Sequence, residues 1–79
     1  MNRTESLAAL KTVNISRTDV HGKAIGNNKG FFLADAISVL NGFERASRTL
    51  SALTKNGKVN CTTVIFGGTT HDFYTVIGG

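Results

Sequence analysis

The spacing of hydrophobic positions changes character twice along the chain. Over residues 33–54, Ala36, Ile37, Leu40, Phe43, Ser47 and Leu50 fall at three- and four-residue steps, extended by Val39, Ala46 and Leu53. That spacing predicts one long amphipathic helix, with Arg45, Arg48 and Thr49 on its polar side. Asp35 lies at the end where a carboxylate favours the helix dipole and can cap, and Asn56 with Gly57 supplies a C-cap. Asn41-Gly42 in mid-run is a hairpin signal, and glycine costs about 1 kcal/mol relative to alanine inside a helix. The apolar stripe nevertheless continues on both sides, so the expectation is a helix, with a kink or a junction of two shorter helices as its variants.

Beyond residue 57 the period becomes two. Residues 58–66 and 72–77 are rich in Val, Ile, Thr, Phe and Tyr, and Gly67, Gly68, Thr69, Thr70 and His71 separate them. This predicts a hairpin with a five-residue loop. Pairing Phe66 with Asp72 places Val59, Cys61, Thr63, Ile65, Phe73, Thr75 and Ile77 on the face beneath the helix. Thr62, Val64, Phe66, Tyr74 and Val76 then share the other face, which is too apolar to be left wholly to water.

The first third is less regular. Thr4 is placed to cap a short helix over residues 5–11, with Leu7 and Leu10 on one side. Residues 12–18 alternate like a strand, Asp19, Val20, His21 and Gly22 read as a turn, and residues 23–26 as a second short strand. Asn27, Asn28, Lys29 and Gly30 form a loop. The expected fold is α+β: a small antiparallel sheet of three or four strands, one long helix packed on one face, and a short N-terminal helix. Residues 1–79 read as a single domain. At this length only roughly 60% of the unfolded chain's surface is buried on folding, too little to enclose a deep pocket.

Composition narrows the chemistry. The net charge is +4 and proline and tryptophan are absent. Lys23, Lys29, Arg45, Arg48, Lys55 and Lys58 are the cations a nucleic-acid reading would use, with Phe31-Phe32 as stacking rings, but they form no cluster in sequence. Scattered surface charge that keeps a small domain in solution is therefore the preferred account of them. The single cysteine, Cys61, excludes an internal disulfide and a thiolate metal cluster and suits a reducing compartment. No run is long enough to span a bilayer, and Leu7 to Leu10 is too short for a signal-peptide core, so the expected location is cytoplasmic, away from the membrane.

No reacting constellation emerges. In the hairpin register above, Cys61 and His71 are on the order of 15 Å apart, too far for a nucleophile and its base. His21, His71, Asp19 and Asp72 meet as metal ligands only if the turn at 19–22 touches the loop at 67–71, and no ligand spacing supports that. The glycines around Lys29 resemble a phosphate cradle, yet Lys29 is followed by Gly30, Phe31 and Phe32, whereas a Walker lysine directly precedes Ser or Thr.

The chain is therefore expected to be no enzyme and to need no cofactor and no metal. The expected function is that of a small binding module that regulates or inhibits a larger protein by docking. Val64, Phe66, Tyr74 and Val76 would form the contact surface, since aromatic residues anchor interfaces. The same face, or an open edge along residues 72–77, would pair two copies into a homodimer. Domains of this size and plainness are frequent among accessory proteins of phages and mobile elements, which is analogy alone. The alternative is a basic nucleic-acid-binding domain using the six cations above.

Overall fold

Asn2 opens the first helix. In the computed structural model, which describes residues 2–26 and 29–78, its side-chain Oδ1 accepts the Glu5 N–H at 2.8 Å, and α1 runs over Arg3–Val13. Asparagine caps as well as threonine does, so the helix starts before Thr4. It also continues past Lys11, taking Thr12 and Val13 out of the strand expected at 12–18. Leu10 is fully buried, and Val13 packs against the same core.

The expected long helix is two helices, α2 (Leu33–Leu40) and α3 (Phe43–Lys55). Asn41 ends α2 in the left-handed region at φ 62°, and Gly42 follows at φ 133° and ψ 157°, backbone angles that only glycine adopts readily. The break changes which residues face inward. Ala36 and Leu40 of α2 and Ala46, Leu50 and Leu53 of α3 are buried, whereas Phe43, expected in the stripe, is 62% exposed. At the far end Asn56 and Gly57 close α3 as expected, with the Asn56 N–H donating to the Ala52 carbonyl at 3.0 Å and Lys58 N–H to Leu53 at 2.9 Å.

The sheet has three antiparallel strands in the order β1-β3-β2, where β1 is Phe31–Phe32, β2 Val59–Phe66 and β3 Thr69–Val76. The hairpin joining β2 to β3 turns on Gly67 and Gly68 alone, with φ of 61° and 80°. Positive φ at both central residues is the geometry whose twist matches that of paired strands. The pairing is therefore Phe66 with Thr69, and not with Asp72 as the five-residue loop implied. A slip of three residues is odd, so it inverts every side chain of β3 relative to β2. Val59 and Val76, which pair, both enter the helical core. Phe73 is buried too, but on the reverse of the sheet. The open edge falls to β2 rather than to residues 72–77, because β3 is the central strand.

The strands expected at 12–18 and 23–26 are reduced to two isolated bridges, Ile15 with Gly30 and Thr18 with Ala24. Between them the turn at 19–22 is present: Asp19 Oδ1 accepts the N–H groups of His21 and Lys23 at 2.8 and 3.0 Å. Asn27 and Asn28 of the expected loop lie outside the described residues.

Polar side chains tie this irregular excursion down. Arg17 donates through Nε to the Gly30 carbonyl at 3.0 Å and through a terminal nitrogen to the Val13 carbonyl at 2.7 Å, and pairs with Asp35 at 3.3 Å. Asp35 in turn accepts the Phe32 N–H at 3.0 Å at the start of α2. Buried Asn14 accepts the Val76 N–H at 3.1 Å. Apart from the Arg17–Asp35 ion pair, each of these bonds satisfies a main-chain group.

Candidate functional site

Alternation along the strands divides the sheet into two unlike faces. Val59 and Cys61 of β2, Tyr74 and Val76 of β3 and Phe31 of β1 face the helices. There Phe31 is fully buried and stacks on Tyr74 with ring centroids 5.6 Å apart. Val64, Phe66, His71, Phe73 and Phe32 face the other way. Phe32 lies at their centre, with ring centroids 5.3 Å from Phe73, 5.5 Å from Phe66 and 6.0 Å from His71. Phe66 and His71 stack at 4.0 Å with their ring planes nearly parallel, 15° apart. The Thr69 hydroxyl sits 2.9 Å from His71 Nε2 and helps fix that ring.

The excursion covers only part of this aromatic face. Gly26 and Gly30 lie directly over Phe73: a β-carbon at Gly26 would come within 2.8 Å of its ring. Farther along the hairpin the cover lifts away and leaves an open groove of about 680 Å³. Phe32, Val64 and Phe66 line one side, and Val20, His21 and Ile25 the other. Val20 at its rim is 95% exposed. Ile65, 76% exposed, adds to the apolar surface at the same end of β2.

The contact surface expected from Val64, Phe66, Tyr74 and Val76 is thus divided. Val64 and Phe66 remain together on the outer face. Tyr74 and Val76 turn toward the helices, where Val76 is buried and Tyr74 packs on the core, as the register inversion requires. Phe32 and His71 take their places beside Val64 and Phe66. Phe32 belongs there only because β1 pairs with β3, and no local signal in a two-residue strand announces that pairing. His71 was hidden by its polar neighbours Thr69 and Thr70, which read as loop.

The cations do not converge on one face. Arg45 and Arg48 are exposed on α3, and Arg48 pairs with Glu44 at 2.9 Å. That exposed pair contributes little to stability. Lys55 ends α3 and Lys58 precedes β2, while Lys23 sits on the excursion, across the sheet from α3. Lys29 stands exposed just before β1. Phe31, one of the two rings a nucleic-acid reading would stack, is in the core.

Cys61 lines a shallow cleft of about 540 Å³ between the hairpin and α3, with Leu33, Leu50, Ser51, Thr54 and Tyr74. Burial pushes its thiol pKa up, the Asp72 carboxylate pushes it further, and a hydrogen bond with Tyr74 opposes them. The same burial, and the charges of Cys61 and Asp72, raise the Tyr74 phenol. Cys61 is thus held as a thiol at neutral pH, the less nucleophilic form. It pairs with Tyr74, whereas His71 pairs with Val64, so the sulfur and the imidazole lie on opposite faces of the sheet. Among the described residues, no group of three or more His, Cys, Asp or Glu side chains is placed to hold a metal ion. Likewise no helix among them is long and apolar enough to cross a membrane. Compared with family models, curated proteins and solved structures, the chain finds no match.

Proposed function

We propose that the chain is a small non-catalytic binding module that docks onto a larger protein and regulates or inhibits it. One observation carries the reading: the groove lined by Phe32, Val64 and Phe66 beneath the Val20 turn. It offers aromatic and branched apolar side chains at the surface of a chain that has few large residues to spare from its core. Such side chains, partly sheltered and rimmed by polar groups, are the usual anchors of protein interfaces. The scattered cations give the opposing nucleic-acid reading no comparable focus.

The test is affinity capture from lysate of the source cells, with and without nuclease, using the natural chain and two groove variants. Val20→Glu is safe for folding because the side chain is almost wholly exposed. Val64→Glu places a charge on the groove wall. The proposal expects a protein partner that survives nuclease and high salt. Each groove variant should weaken its capture about tenfold or more, equivalent to at least about 1.4 kcal/mol, while Arg45→Glu should leave it unchanged. Nuclease-sensitive material that fades steeply with salt would replace docking with nucleic-acid binding. A protein partner indifferent to both groove variants would move the contact elsewhere.

A further inference from the structure

The outer edge of β2 has a second use. The two-residue turn makes Phe66 and Thr69 the closing hydrogen-bonded pair of the hairpin, and such pairs alternate along antiparallel strands. The main-chain groups of Asn60, Thr62 and Val64 therefore point to β3, and those of Cys61, Thr63 and Ile65 point outward from the sheet. Natural edge strands are kept from pairing by being short, or by lysine, proline or inward charge. β2 has eight residues and none of those residue types.

We propose that β2 pairs antiparallel with β2 of a second copy, about a two-fold axis passing between the Thr63 residues, to make one six-stranded sheet. The choice of a second copy rests on how the two ends of β2 differ. At the Val59 end the helices roof the strand, and the cleft beside Cys61 opens along α3. At the Ile65 end the same face is bare, and Ile65 stands 76% exposed. With Thr63 opposite its twin, Ile65 of each copy falls opposite Cys61 of the other. Each bare tip then lies beside a roofed base, and each Ile65 meets the apolar part of the other copy's cleft, Leu33, Leu50 and Tyr74, whose polar rim includes Lys55 and Asp72. No charged side chain on β2 opposes this pairing, since Val59–Phe66 contains none. The outward main-chain groups of Cys61, Thr63 and Ile65 are all satisfied in the same register. This pairing uses the main-chain edge and Ile65, which also borders the groove, but not the groove walls Phe32, Val64 and Phe66, and it does not depend on docking there.

Purified protein alone provides the test. Sedimentation equilibrium up to about 1 mM should show a monomer–dimer equilibrium. Amide hydrogen exchange at Cys61, Thr63 and Ile65 should slow as concentration rises, while Thr62 and Val64, already paired within the hairpin, should not change. Ile65→Lys, at an exposed position, should weaken association about tenfold or more. Thr63→Pro, which removes an outward N–H only, should do the same. If Thr63→Pro fails to fold, Ile65→Lys and the exchange pattern decide. A chain that stays monomeric throughout, a dimer indifferent to Ile65→Lys, or edge amides whose exchange ignores concentration would overturn the proposal.

Discussion

Replacing Phe31 by alanine is expected to destabilise the fold by about 3–5 kcal/mol, the cost of emptying a fully enclosed aromatic site. Phe31 is 0% exposed, stacks on Tyr74, and belongs to the cluster of Leu10, Leu40, Leu50 and Leu53 where all three helices meet the sheet. Neither neighbour can collapse into the space. On one side stands the central strand, and on the other the start of α2, held by the bond from Phe32 N–H to Asp35. For a chain of 79 residues the whole stability is about 4–12 kcal/mol. The loss therefore threatens folding itself. Thermal unfolding followed by circular dichroism should place the variant's midpoint roughly 15 °C or more below that of the natural chain. A shift of only a few degrees would mean that Phe31 is not enclosed and that β1 is misplaced.

A single methyl group at Gly30 is expected to cost nearly as much, about 3 kcal/mol, near the top of the range for overpacked sites. The added β-carbon would stand 2.5 Å from the carbonyl oxygen of Tyr74 and equally close to the Phe73 ring. The carbonyl belongs to the central strand, and the ring is buried, so neither can step aside cheaply. The backbone of Gly30 must retreat instead. Its bonds with Ile15, at 2.9 and 3.4 Å, and the Arg17 bond to its carbonyl then weaken together. Gly30→Ala should thus loosen the excursion as well as lower the unfolding midpoint. Denaturant titration measures the first cost, and faster amide exchange at Ile15 and Ile25 reports the second. Phe73→Leu in the same chain should restore part of the loss, because a smaller side chain frees one of the two obstructions. A fully stable Gly30→Ala variant would mean that the excursion does not lie against the sheet.

The parts of this fold that could be read from residue order are those with local causes. The three- and four-residue spacing of Leu50 and Leu53 and the stop at Asn56-Gly57 place α3. The β-branched runs place β2 and β3, and Asp19 with Gly22 places a turn. Asn41-Gly42 was visible as an interruption. That it separates two helices depends on the left-handed angle at Asn41, and the apolar stripe alone argued for continuity. The hairpin shows how a small local choice propagates. Thr69, Thr70 and His71 look like loop because they are polar, yet two are β-branched and Gly67-Gly68 is a sufficient turn. Counting them into the strand moves the register by an odd number, sends Tyr74 and Val76 inward, and brings His71 out beside Phe66.

Other features have no local cause at all. β1 is two residues long and exists because Phe31 and Phe32 find Tyr74 and Phe73 some forty positions later. Asn14 and Arg17 looked like ordinary polar residues of a strand. Their roles, on Val76 and across Val13, Gly30 and Asp35, require the tertiary fold to bring those partners near. The candidate groove inherits this difficulty. Val64 and Phe66 were legible as apolar residues on an outward face, whereas Phe32, His71 and the Val20 rim join them only once the sheet order and the excursion's path are known.

The hairpin register underlies both the groove and the open edge, and cross-strand nuclear Overhauser contacts measure it most directly. In non-hydrogen-bonded antiparallel pairs the α-carbons approach to about 4.5 Å, which brings their α-protons close. Strong α-proton contacts are predicted between Cys61 and Tyr74, Thr63 and Asp72, and Ile65 and Thr70. Contacts of Thr63 with Thr75 and of Ile65 with Phe73 would instead establish the register of a longer loop. They would return Tyr74 and Val76 to the outer face and remove the groove on which docking rests.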